Sequence, residues 1–243
     1  MCKFFSLVSN GDGKPLYFDA KKRKQIVKKE LKYDIDNHTS IADHFGFNGE
    51  KEDVLNKYEY NPITRVFGID QLNNPVNDSE EIKAFCEKLD FKTIAPELII
   101  HPIVHPFKDF KVSKVSKKDI ALLKQWASVR ASVEDSVWDS VWDSVGASVW
   151  DSVRASVGAS VWASARDLVG DSVWASVWAD ASSYFNIPKW KYIEHKQGIN
   201  PYQPCIDLWN KGLVPSFDGK VWRLHGHEGK IVFEIEKEKL SHD

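Results

Sequence analysis

The chain has 243 residues, 42% of them apolar and 28% charged, with a formal net charge of −2. That size supports one domain, or two small ones, with a real core. The near-neutral balance excludes the footprint of a general nucleic-acid binder, and no apolar run is long enough to span a bilayer.

In chain order, the first elements are strands at Lys3–Ser9 and Pro15–Asp19, around the turn Asn10-Gly-Asp-Gly13. A basic helix follows at Lys21–Leu31, then a short one capped by Ser40 through His44 and another over Glu50–Asn56. Arg65–Asp70 reads as a strand. Ser79 is the expected cap of a helix through Leu89, with Ile82, Phe85, Cys86 and Leu89 on one face. Pro96 to Pro106 is apolar and broken by proline, and Lys108–Lys118 is a basic, solvated linker. Ser116 and Asp119 form an N-cap signature ahead of IALLKQW. Near the end, Leu213–Phe217, Lys220–His225 and Lys230–Ile235 form a three-strand meander. Its turns are Asp218-Gly219 and Gly226–Gly229.

Between these parts lies an internal repeat. Thirteen tetrapeptides fill Ser128 to Ala179 without insertion, each reading Ser-Val-x-Ala/Asp, with Leu168 and Ala165 the only departures in the first two slots. The third slot takes Trp, Arg, Gly or Glu, residues whose codons lie within single base changes of one another. A close-packed position, where even one methylene is felt, does not tolerate that spread. Slots three and four are therefore expected at the surface, with Val, and Ser beside it, inward. No lysine occurs between Lys124 and Lys189, whereas both flanks are lysine-rich, as an expanded insertion predicts.

The expected fold class is α+β: a small mixed domain, residues 1–127 and 180–243, interrupted by the array at 128–179. A helical array is favoured, because the approach and the exit both keep helical phase. Four residues turn a helix by about 400°, so the valine stripe drifts about 40° per unit. One straight helix cannot bury it: the array needs either a right-handed supercoil or division into shorter antiparallel helices near Gly146, Gly158 or Gly170. The alternative is a compact β-solenoid with valine inward.

MCKFFSLVSNG, DNHTSIADHFGF at 36–47, the Ser-Val-Trp-Asp units and LWNKGLVPSFDGKVWRLHG at 208–226 together resemble a group of proteins encoded by bacteriophages and gut-associated bacteria. The resemblance implies phage or mobile-element origin, a bacterial cytoplasm as the setting, and a unit number that varies. It implies no activity.

Candidate sites follow from the residues. Cys2 would become an N-terminal nucleophile with its own amino group as base once Met1 is removed, as in N-terminal-nucleophile amidohydrolases. The histidine pairs His38/His44, His101/His105 and His225/His227 read as capping, irregular and turn residues, so no metal and no cofactor are assigned. The three cysteines, Cys2, Cys86 and Cys205, are too widely spaced for a disulfide framework or a zinc site. The array is the strongest hint, because Trp and Arg are enriched at interface hot spots. Trp138, Trp142, Trp150, Arg154, Trp162, Arg166, Trp174 and Trp178 are the expected contact residues. They point to a non-enzymatic interaction or assembly protein that binds a protein partner or itself as a homo-oligomer. The alternative is the Cys2 amidohydrolase.

Overall fold

The computed structural model describes residues 5–145, 165 and 168–242, which form two compact units. The first holds residues 5–101 and 144–145, the second 102–143, 165 and 168–242. The boundary falls inside the proline-broken stretch, where prolines withhold the N–H groups that regular structure needs. Residues 102–127, joined to the N-terminal part in the sequence reading, thus lie in the second unit.

The first unit is built on an antiparallel sheet of β1 (Ser6–Ser9), β2 (Asn56–Asn61) and β3 (Val66–Gln71), in that order. Every residue of β1 is buried. In β2 only Asn56, Tyr58 and Tyr60 face inward, the alternation of a half-buried strand. The strand expected at Pro15–Asp19 is reduced to one bridge between Val8 and Leu16. Helix α1 (Ala20–Val27) starts where Asp19 Oδ1 accepts from Lys22 N at 2.9 Å. It stops short of the predicted Leu31 because Lys29 turns into the left-handed region at φ 59°. Helix α2 (His38–His44) is capped by Asn37, whose side chain accepts from Ser40 N at 2.8 Å; Ser40 itself is not the cap. The helix predicted over Glu50–Asn56 is only a 3-10 turn at Gly49–Lys51, since Asn56 is drawn into β2. Helix α3 (Ser79–Lys88) lies where predicted, but Ser79 is its first residue and Asp78 holds the cap position; it buries Ile82 and Cys86, and α4 (Phe91–Ile94) follows. Val8, Phe18, Ile26, Ile41, Ala42 and Leu55 form the core. Within the basic helix α1, Arg23 turns inward and pairs with buried Asp36 at 2.9 Å.

The second unit opens with α5 (Lys117–Val129). Ser116 Oγ accepts from Asp119 N at 3.3 Å, and Asp119 Oδ2 accepts from Ser116 N at 2.9 Å, completing the predicted capping box. Ser116→Ala is expected to cost about 1 kcal/mol, read as a fall in the urea midpoint. A 3-10 turn at Arg130–Ser132 leads into α6 (Val133–Val145). After Gly170–Val173, another 3-10 turn, comes α7 (Trp174–Ser182). The described parts of the array are therefore helical segments separated by tight turns, and no solenoid occurs among the described residues. One expected break is present: Gly170 adopts φ 71°, which a helix interior does not allow. Gly146 and Gly158 lie outside the described residues.

Helix α8 (Gln203–Trp209) is closed off by a turn at Gly212. Gly212 N donates to Trp209 O and Leu213 N to Leu208 O, both at 2.9 Å, the bonding of a Schellman motif. Only glycine suits this position. Its φ is 76°, and a Cβ would lie 2.4 Å from Phe110 Cβ. The predicted meander forms as β4 (Val214–Phe217), β5 (Val221–His225) and β6 (Ile231–Glu236), with α9 (Lys237–His242) after it. Asp218 Oδ1 accepts from Lys220 N and Val221 N, each at 2.9 Å, and folds the first turn. Phe107, Val173, Val177, Trp209 and Val214 centre the core.

Candidate interaction surface

Helix α6 sorts its residues as the repeat predicts. Val133, Val137 and Val141 are buried, and so are Ser136 and Ser140. Glu134, Trp138 and Trp142, all in slot three, face outward. Trp138 is 39% and Trp142 49% exposed, and their rings touch with centroids 5.4 Å apart. Positions i and i+4 share a helix face, so consecutive units stack their indoles into a ridge. Two bonds fix the helix beneath it: Ser140 Oγ accepts from Lys191 N at 2.9 Å, and the exposed Tyr192 donates its hydroxyl to Asp139 Oδ2 at 2.5 Å. Tyr192 adds a third aromatic group to the surface of this unit.

Helix α7 departs from the expected pattern. Trp178 is only 7% exposed, and Trp174 is partly buried with its ring edge-on to Trp178 at 5.8 Å. Both were expected at the surface. The cause is environment: α7 packs on α8, on β4 and on the 3-10 turn before it, so no side of it is left to water. A repeat slot faces solvent only where its helix has a solvent side. Trp150, Arg154, Trp162 and Arg166 lie outside the described residues, as does Cys2.

The same enclosure buries Asp180, the first residue beyond the array and in the phase of slot one. It is 4% exposed, and Oδ2 accepts no hydrogen bond from the described residues. Burial pushes this carboxyl up to about 8, so at neutral pH it is chiefly a neutral acid. Burial also raises the thiol of Cys205 on α8 and the phenol of Tyr184, with the Asp180 carboxyl adding to both. Ser176 Oγ ties α7 to β4 by donating to Pro215 O at 2.5 Å.

Two further polar centres are architectural. In the first unit, Asp78 Oδ1 accepts from Tyr58 Oη at 2.6 Å and Asn56 Nδ2 at 3.0 Å. Its Oδ2 accepts from Gly13 N at 3.0 Å and from Ser9 Oγ. Burial opposes the charge, but these four bonds outweigh it and hold the carboxyl below the usual range. In the second unit, His225 Nδ1 lies 3.0 Å from Gly229 O, a pure acceptor, so Nδ1 carries the proton. Nε2 then accepts from Ser216 Oγ at 2.7 Å. The pairing has the order of a nucleophile and its base, but both residues are buried. It fastens β4 to β5. His38 bonds Tyr58 O at 2.9 Å, and His44 sits edge-on among Phe18, Tyr33 and Phe45. Among the described residues, no three His, Cys, Asp or Glu side chains converge as metal ligands.

Each unit also carries a cavity. One of about 530 Å³ in the first unit is lined by Tyr60, Arg65, Cys86 and Phe91 among others. Burial pushes its Cys86 thiol up to about 12, so it is not a thiolate nucleophile. The second, about 350 Å³, is walled by the first repeat unit and by the meander. Sequence reasoning missed it, because its parts lie about ninety residues apart in the chain. No helix of the described residues is long and apolar enough to cross a membrane. No protein family, curated protein or solved structure matches the chain.

Proposed function

We propose that this is a non-enzymatic interaction or assembly protein whose contact surface is the third slot of the tetrapeptide array. The observation that supports it is the ridge of α6, where Trp138 and Trp142 stand exposed and in mutual contact while Ser and Val of the same units are buried. Tryptophan gives large contact area for little ordering entropy, and aromatic residues one turn apart are the anchors of helix-in-groove recognition. Repetition makes the surface multivalent, so contacts weak singly add by effective concentration. The occupant we assign first is a second copy of the chain, since one array presents the same ridge to another. The protein acts in the cytoplasm of a bacterial host and has a phage origin, in keeping with its resemblance.

Sedimentation velocity on the full chain, from about 1 to 100 μM, tests the assignment. The mean mass is expected to rise with concentration. In W138S/W142S the rise is expected to shrink or vanish, with circular dichroism unchanged and stability altered by no more than about 0.5 kcal/mol, as for surface substitutions. A wild-type chain that stays monomeric throughout rules out self-assembly through the ridge.

A further inference from the structure

The 350 Å³ cavity of the second unit joins the array to the meander. Lys124, Ala127, Ser128, Arg130 and Ala131 form one wall; Phe217, Trp222, Lys237 and Leu240 form the other. Three of these side chains are cations, and none of the described lining residues is acidic.

Arg130 is the unusual member. It fills slot three of the first repeat unit and is half-buried. Its guanidinium lies over the Phe217 ring, 5.5 Å from the centroid, and Phe217 stacks on Trp222 at 4.5 Å. Arg130 has no hydrogen-bonded acceptor and no ion-pair partner among the described residues. Burial lowers its pKa and no neighbouring carboxylate offsets the effect. A guanidinium carries five N–H donors in a fixed fork. The guanidinium is only partly withdrawn from water and none of its nitrogens is a buried, unsatisfied donor among the described residues, so an anion can reach the fork. Lys124, six residues earlier on α5, brings a second charge without an ion-pair partner among the described residues.

We infer that this cavity binds a small organic anion with a flat apolar body, of the class of a nucleoside monophosphate. The fork of Arg130 takes the anionic oxygens in bidentate fashion, with Lys124 and Lys237 adding charge at the rim. The apolar body lies along Ala127, Ala131, Leu240 and the exposed part of the Phe217–Trp222 pair. The volume stands near the lower end of small-molecule pockets, which admits a mononucleotide and leaves little room for anything larger. This site is separate from the Trp138–Trp142 ridge, and its failure would leave the proposed function untouched.

Isothermal titration of the full chain with adenosine 5′-monophosphate is the test, with inorganic phosphate and adenosine as half-ligands. The monophosphate is expected to bind with a dissociation constant below about 1 mM, and each half-ligand at least about tenfold more weakly. Arg130→Met keeps the apolar stem over Phe217 and removes the fork; affinity is expected to fall about tenfold or more. Ala131→Phe fills the cavity from an exposed position without altering charge, and is expected to abolish binding. Circular dichroism on both variants separates loss of site from loss of fold. No heat from the monophosphate at about 1 mM, equal binding of inorganic phosphate, or full affinity in both variants would each overturn the proposal.

Discussion

Between pH 6.5 and 8 the second unit is expected to lose stability as the pH rises, and Asp180→Asn is expected to remove that loss. In the fold, burial raises the Asp180 carboxyl to about 8, whereas an unfolded aspartate titrates near about 3.9. Between those values the folded chain holds a proton that the unfolded chain has given up. Unfolding therefore releases a proton, and stability falls with each step of pH up to the folded value. The slope is about 1.4 kcal/mol per pH unit, or roughly 2 kcal/mol over this window. The other shifted groups act outside this window. His225 and His105, lowered mainly by burial, make stability rise with pH, but only up to the ordinary histidine range. Cys205 and Cys86 resist ionisation through burial and matter only at higher pH. Urea midpoints of wild type and Asp180→Asn at pH 6.5 and 8 decide the matter. Parallel curves for the two chains would show Asp180 already ionised in the fold.

The second large effect is expected in the first unit. Asp78→Ala removes the acceptor of four hydrogen bonds: Tyr58 Oη is left without its acceptor, and Asn56 Nδ2 keeps only Val76 O. Stranding buried donors in this way costs about 3–5 kcal/mol. The sign of the pH dependence is opposite to that of Asp180. The folded carboxyl is depressed, so its contribution is present above the unfolded value near about 4 and is lost as pH falls through the folded value. Thermal unfolding at pH 7 reads the loss. Hydrogen exchange locates it, because the Gly13 amide donates to Asp78 and is expected to exchange much faster in the variant. A melting temperature within a degree or two of wild type would mean that water replaces the carboxylate.

Several parts of this fold were legible because a local signal and its cause coincide. The meander announced itself through alternation and an Asp-Gly turn. The start of α5 did so through a capping box that needs only four consecutive residues. In α6, the tolerance of slot three for unlike residues correctly placed Trp138 and Trp142 in solvent. Strand β2 was illegible for a physical reason: its inward residues are Asn56, Tyr58 and Tyr60, polar groups satisfied by Asp78 or by packing, so hydropathy shows no alternation. Trp178 and Asp180 were misplaced or missed because tertiary enclosure, which no tetrapeptide encodes, decides what surrounds α7. The cavity at Arg130 depends on two segments that meet only after folding.

The pitch of the array sets a rule for how it can change in length. Adding one unit within a continuous helix such as α6 rotates everything beyond it by about 40° and pushes it about 6 Å along the axis. Three successive valines, Val133, Val137 and Val141, still reach one core, because their spread is about 80°. A few more would carry the stripe round to the solvent face. A gain or loss of units is therefore expected to be unevenly tolerated along the array. Copies gained beside a turn such as Gly170–Val173, where the axis already starts afresh, leave both neighbours in register. Copies gained in mid-helix do not, so the tight turns double as the joints at which the array can lengthen.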